Sequence, residues 1–313
     1  MPFLREFGHY LPSRVVTSEE AGSWVGATAE WVMNVSGIRE RRFAAEDETV
    51  ADLAAKAGRD CLDKAGYDAN RLGLIVVASG SPERQAPGPA SVTALKLGAA
   101  GVPAIDLPLA SAGSLVGLAL AARLAPSMGH ILVIGAEKMS RLVAREPRER
   151  GVAVLFGDGA GACLVSPSGG KAEVVDVELG SDGTWADDLC LEQNAPIKMN
   201  GRTVILQASR KIPGAIRSVL DRAGVAAASI SAFLLHQANQ NLLDKVAAAL
   251  GVESGRFFSN IARYGNTSSA SLLIAASEWS QEHGFAPGAH AVFAAFGAGF
   301  HWGALLARGC PAK

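Results

Sequence analysis

Three residues have types and settings that could build a nucleophilic centre. Ser111 follows the apolar stretch Val102-Pro-Ala-Ile-Asp-Leu-Pro-Leu-Ala110 and precedes a run of small and aliphatic residues. That order predicts a strand and then a helix, with the Ser111 hydroxyl at the helix N-terminus. Free backbone N–H groups and the helix dipole there favour a developing oxyanion. The same place suits a plain N-cap serine. A hydrolase elbow would read Gly-x-Ser-x-Gly, but position 109 is leucine, so half of that motif is present. His236 closes the predicted strand Ile230-Ser-Ala-Phe-Leu-Leu235. It therefore sits at a carboxyl end, where open α/β sheets hold ligands; a satisfied core histidine is the alternative. Asn266, in Arg-Tyr-Gly-Asn-Thr-Ser268, reads equally well as a turn residue. None of the six histidines forms an H-x-x-H or H-E-x-x-H pair, so nothing supports a metal site.

Phe156-Gly-Asp-Gly-Ala-Gly-Ala162 imitates a dinucleotide-binding loop. Cys163-Leu-Val165 and Ser-Pro follow it, which reads as another short strand where that loop needs a helix. Its glycines are read instead as a tight hairpin or a close backbone approach.

These residues need elements to position them. Leu72–Ser79, His130–Gly135, Val152–Phe156 and His290–Ala295 read as buried strands. Val50–Ala65 and Leu242–Leu250 carry apolar residues at helical spacing. Such alternation implies α/β layers. A faint repeat joins Ile75–Ser79 to Phe233–Gln237, Ser111 to Asn266 and Ile131–Gly135 to Phe293–Gly297. Three pairs in one order at nearly one offset suggest duplicated halves, 1–167 and 168–313, meeting near Pro167-Ser-Gly-Gly170.

Length and composition agree with such a globule. The 313 residues are 49% apolar and 19% charged, enough to bury a large core. A net charge of −1 with no basic stripe argues against nucleic acid. The charged N-terminal residues lack the apolar core of a signal peptide, and Asp106, two serines and Arg123 break the one long apolar stretch, Ala104–Ala125. No membrane partner is therefore expected. Cys61, Cys163, Cys190 and Cys310 lie far apart, against a disulfide framework or zinc site, and the chain reads as cytoplasmic.

The whole chain resembles the β-ketoacyl-acyl-carrier-protein synthase III family of the thiolase superfamily. The likeness runs through Gly8-His-Tyr-Leu-Pro12, Gly37-Ile-Arg-Glu-Arg-Arg42 and Phe156-Gly-Asp-Gly-Ala-Gly161. It continues in His236-Gln-Ala-Asn239, Tyr264-Gly-Asn-Thr-Ser268 and Phe296-Gly-Ala-Gly-Phe-His-Trp-Gly303. The resemblance implies a five-layer αβαβα fold of two similar halves, a homodimer, and acyl transfer from a coenzyme A thioester used as substrate, with no bound cofactor. It also implies catalytic Ser111, His236 and Asn266, an oxyanion hole from the Ser111 and Ala298 amides, coenzyme A contacts at Trp31, Arg150, Gly201, Ala238 and Asn239, and Ala86 at the neighbouring subunit's acyl pocket.

The pattern breaks at the nucleophile, where the family's cysteine is Ser111. Pro108, Leu109 and Ser114 differ from the usual surroundings too, which favours natural divergence over an engineered replacement. A serine hydroxyl, unlike a thiol, needs a base during attack, and His236 is the residue expected to supply it. Val35, Asn241, Ala248 and Ala249 stand where the family has basic residues for adenine stacking or carrier docking, so an acidic acyl carrier protein would dock more weakly. The expected activity is acyl transfer through an acyl-serine to a malonyl thioester or a small-molecule acceptor. A catalytically silent partner subunit and an acyl-thioester hydrolase are the alternatives. His301 is read as a core histidine, and Tyr264, Thr267 and Ser268 as support around Asn266.

Overall fold

The computed structural model describes residues 2–192 and 195–311. Its first half contributes β1 (Phe3–Tyr10), α1 (Val50–Ala65), β2 (Leu74–Ala78), α2 (Pro89–Lys96), β3 (Ala104–Leu107), α3 (Gly113–Met128), β4 (Ile131–Lys138) and β5 (Asp158–Ser166). The second contributes β6 (Ala172–Ser181), α4 (Gly201–Ala223), β7 (Ile230–Leu235), α5 (Gln240–Leu250), β8 (Phe257–Phe258), α6 (Ser271–Glu282), β9 (His290–Gly297) and β10 (His301–Gly309).

The two halves repeat one topology. Strands run β3-β2-β4-β5-β1 in the first and β8-β7-β9-β10-β6 in the second. In each, the first three strands are parallel and the fourth runs antiparallel to both of its neighbours. A short antiparallel contact, Phe3 with Glu173 and Leu4 with Ala172, joins the two into one mixed sheet. Three apolar clusters then fix five layers. One packs α1 and α2 on the outer face of the first half-sheet. The second buries α3 and α6 between the half-sheets, and the third packs α4 and α5 outside the second. β2, β4 and β5 are buried on both faces, which is why they read as continuous apolar runs.

Local chemistry sets the helix ends. Thr49 caps α1 and forms a reciprocal capping box with Asp52, and left-handed Gly66 closes the helix. Three sequence expectations change. Val152–Phe156 is not a strand: Arg150–Ala153 is a helical turn, and Phe156 makes an isolated bridge to Asn266. Its apolar residues are buried in two separate clusters, so burial and strand propensity diverge there. Val102–Ala110 shortens to β3, a half-exposed edge strand whose Ile105 is 42% exposed. Finally, Cys163-Leu-Val165 is the end of one strand that already begins at Asp158.

Candidate active site

Ser111 is not the helix N-cap. α3 starts at Gly113, and its N-cap is Ala112, whose side chain makes no cap bond. Ser111 is the centre of a three-residue turn in which the Ala112 N–H donates to the Ala110 carbonyl at 2.7 Å. Its φ is +62°, a left-handed conformation that a side chain adopts only at a cost. A hydrolase elbow admits its turn through two flanking glycines; here only the second, Gly113, is present, and further space comes from glycines elsewhere in the chain. A Cβ on Gly297 would lie 2.2 Å from the Ala110 carbonyl oxygen and 2.7 Å from the Ala112 nitrogen, and one on Gly80 2.6 Å from the Ala110 Cβ. Both glycines lie beyond strand ends or at them, so the sheets grip the turn directly.

His236 follows β7, and burial among neutral groups pulls its imidazole down to about 4, so it is uncharged near pH 7. Its Nδ1 lies 2.5 Å from Ser271 Oγ, which also accepts the Gln237 N–H and sits 3.0 Å from the Ser268 carbonyl. The second ring nitrogen is thereby left for a ligand. Asn266 is held by its backbone, its N–H donating to Leu155 and its carbonyl accepting from Gly157. Its Oδ1 accepts from the Ser268 N–H at 2.9 Å, and Nδ2 makes only a 3.4 Å contact to the Ala238 carbonyl.

Ser111, His236 and Asn266 line one cavity. Its walls are apolar, with Leu189, Met199, Val204, Ile212, Leu242 and Phe296 among them. Such a cavity can accept a hydrocarbon chain, and its polar side chains are Ser111, His236, Asn239, Asn266 and Ser268. Gly201, Ala238 and Asn239 line it too. Trp31 and Arg150 do not line it, but stack on each other, the guanidinium 5.1 Å from the ring. The helix bearing Trp31, Ala29–Ser36, is tied to this wall because Asn239 Nδ2 donates to the Val35 carbonyl at 2.8 Å.

Ala298 borders a second, more polar space with Ala110, Arg84 and Arg141. Ala86 is exposed and lines neither space. The Ser111 amide, expected as an oxyanion donor, donates to Ser268 Oγ at 3.0 Å. His301 is half-buried, its Nδ1 2.8 Å from Ser181 Oγ, and is not part of the cavity wall. In the glycine loop, Asp158 binds the Ala44 and Ser140 amides and Gly161 packs on α6, so the loop is occupied by structure.

Sequence reasoning passed over Glu137. It is the penultimate residue of β4, at the carboxyl end of a buried strand, and is wholly buried. A charged residue closing an otherwise apolar run was the available signal. Glu137 accepts from Ser79 Oγ, the Gly80 N–H, Ser81 Oγ, Ser268 Oγ and the Ser269 N–H, at 2.5–3.2 Å.

Two half-sheets, a buried helical layer and a strained turn facing a histidine and an asparagine define a thiolase-like condensing enzyme. Family models described as 3-oxoacyl-[acyl-carrier-protein] synthase III, and as its C-terminal part, match residues 105–183 and 220–308. The β-ketoacyl-[acyl-carrier-protein] synthase III of Oleidesulfovibrio alaskensis is 35% identical over 98% of both chains. The crystal structure of the Aquifex aeolicus 3-oxoacyl-[acyl-carrier-protein] synthase III superposes with a TM-score of 0.94 at 34% identity, covering 98% of this chain and 100% of that one. A priming β-ketosynthase from the R1128 polyketide pathway gives 0.90 at 31% identity, over 99% and 97%. The chain belongs to the ketoacyl synthase III family, and is a transferase of the condensing-enzyme class. No helix among the described residues is long and apolar enough to cross a membrane.

Proposed function

We propose that the chain takes an acyl group from coenzyme A onto Ser111 and passes it to a malonyl thioester or a small-molecule acceptor. One observation carries this reading: the strained Ser111 turn opens on an apolar cavity shared with His236 and Asn266. The acyl chain lies along the apolar walls, and the Ala298 amide supports the tetrahedral oxyanion. The Ser111 amide joins it once it leaves Ser268. A donor of this kind contributes about 3 kcal/mol in comparable sites. Neutral His236 and the weakly engaged Asn266 amide then serve the acceptor, stabilising an enolate after decarboxylation or taking the proton of an alcohol or amine.

The exposed face of α5 carries Asn241, Asp244, Lys245, Ala248 and Ala249, a balanced rather than basic surface. That favours a coenzyme A-linked or free acceptor over an acidic carrier protein. Half-exposed β3 ends its half-sheet, and an unpaired edge of this kind suits pairing with a second copy, so the enzyme works as a homodimer. Neither a silent subunit nor a hydrolase is favoured by any feature of the cavity.

The test is intact-protein mass after incubation with a panel of acyl-coenzyme A donors. An acyl adduct in the wild type that is lost in Ser111→Ala supports the reading. Absence of any adduct and of coenzyme A release overturns it.

A further inference from the structure

We propose that Ser268 and Glu137 relay the proton of Ser111 during acylation, an inference that rests on Ser111 being the acylated residue. Ser111 and Ser268 are the two non-glycine residues with positive φ among the described residues, at 62° and 48°. Such a residue persists only where its surroundings hold it. These two hold each other. The Ser111 N–H donates to Ser268 Oγ at 3.0 Å, and the two hydroxyl oxygens are 3.5 Å apart.

Proton counting gives the pair a direction. Ser268 Oγ lies 2.8 Å from Glu137 Oε1, and a carboxylate can only accept, so the one proton of Ser268 points at Glu137. Toward Ser111, Ser268 Oγ is then an acceptor. The Ser111 O–H turns to it, and its lone pairs remain for an acyl carbon in the cavity. The 3.5 Å separation is long, as catalytic hydrogen bonds commonly are before substrate binds. Ser111 makes no hydrogen bond to His236, whose Nδ1 is committed to Ser271. Glu137 is 0% exposed and makes no ion pair among the described residues; its charge is met by hydroxyl and amide donors alone.

The step balances. As Ser111 Oγ bonds the acyl carbon, its proton passes to Ser268 Oγ, and the Ser268 proton passes to Glu137 Oε1. The carbon–sulfur bond breaks and coenzyme A leaves as a thiolate, so the negative charge that enters on Glu137 departs on sulfur. When the acyl group moves to its acceptor, the Oγ–carbon bond breaks and the protons return, restoring the Ser111 hydroxyl and the Glu137 charge.

A thiol beside a helix N-terminus ionises unaided, so a cysteine at 111 has no need of the relay. The experiment is rapid-quench acylation by one acyl-coenzyme A, read by intact mass, for Ser268→Ala and Glu137→Gln in the native and Ser111→Cys backgrounds. The relay requires each change to slow acyl-serine formation by about 100-fold, the lower end of general acid–base effects. Acylation of the cysteine should slow by no more than about a factor of two, so that each change is strongly non-additive with Ser111→Cys. Equal slowing in both backgrounds would show that the two residues only shape the turn, and no slowing of the serine enzyme would show that they are idle; either overturns the proposal. Should Glu137→Gln fail to fold, Ser268→Ala carries the test with Glu137 in place. A wild type that forms no adduct overturns the acyl-serine reading itself, and the relay with it, before any relay variant is compared.

Discussion

His236 shows how one residue's surroundings set its chemistry. A histidine without a carboxylate partner, sealed in an apolar wall, stays neutral down to about pH 4. The sign of the consequence for stability is fixed. The unfolded chain takes up this proton near 6.5 and the folded chain near 4, so stability is complete above 6.5 and falls as pH drops through that interval. The ceiling on the loss is on the order of 3 kcal/mol. Urea unfolding of wild type and His236→Gln at pH 7.5 and 5 checks this: the wild type should lose more stability between the two than the variant. The imidazole should also impose no acid limb on kcat/KM between pH 6 and 8. A limb with a midpoint near 6.5 in that profile would show the imidazole to be solvated instead.

At the scale of elements, the site depends on glycines that let backbones touch. Gly297 at the end of β9 meets the Ser111 turn, whereas Gly161 on β5 meets α6, 2.6 Å from the Ile274 nitrogen to a built Cβ. The two should fail differently. Gly297→Ala shifts the turn and should cut acylation by about 100-fold, since displacement of a reacting group by about 1 Å costs that much. Gly161→Ala pushes a buried helix off its strand and should cost about 1–3 kcal/mol of stability, as overpacking does. Thermal unfolding alongside acylation rates separates them: Gly161→Ala should show the larger fall in Tm, and Gly297→Ala the larger fall in rate.

At the scale of the whole molecule, the edge strand β3 is the exposed border of the first half-sheet. Ile105 is 42% exposed there, and Ala86 lies exposed on the loop before α2. A charge placed on a strand edge opposes pairing with a second copy. Ile105→Lys should therefore shift the protein toward monomer in sedimentation velocity, with β-sheet content unchanged by circular dichroism. Ala86→Phe, in the proposed dimer, should narrow the range of acyl-coenzyme A donors toward shorter chains without changing the oligomeric state. An unchanged donor range would place Ala86 away from the partner's acyl cavity.

The sequence alone determined the periodic parts. Val50–Ala65 and Ile230–Leu235 fold within the bounds their apolar patterns imply, because each pattern records what the element buries, one face of the helix and both faces of the strand. The motif order also carried the family and its duplicated fold. Ser111, His236 and Asn266 were visible as types, and their convergence on one cavity belongs to the tertiary structure. So does the failure of Val152–Phe156 as a strand, since an apolar run records burial and not the element that provides it. Leu109 had seemed to spoil the elbow motif, yet Gly80 and Gly297, 31 residues before Ser111 and 186 after it, supply the missing space. Glu137 and Ser268 gain their meaning the same way. A hydrogen bond between residues 131 positions apart leaves no trace in local spacing, because spacing encodes only the neighbours a chain segment must have.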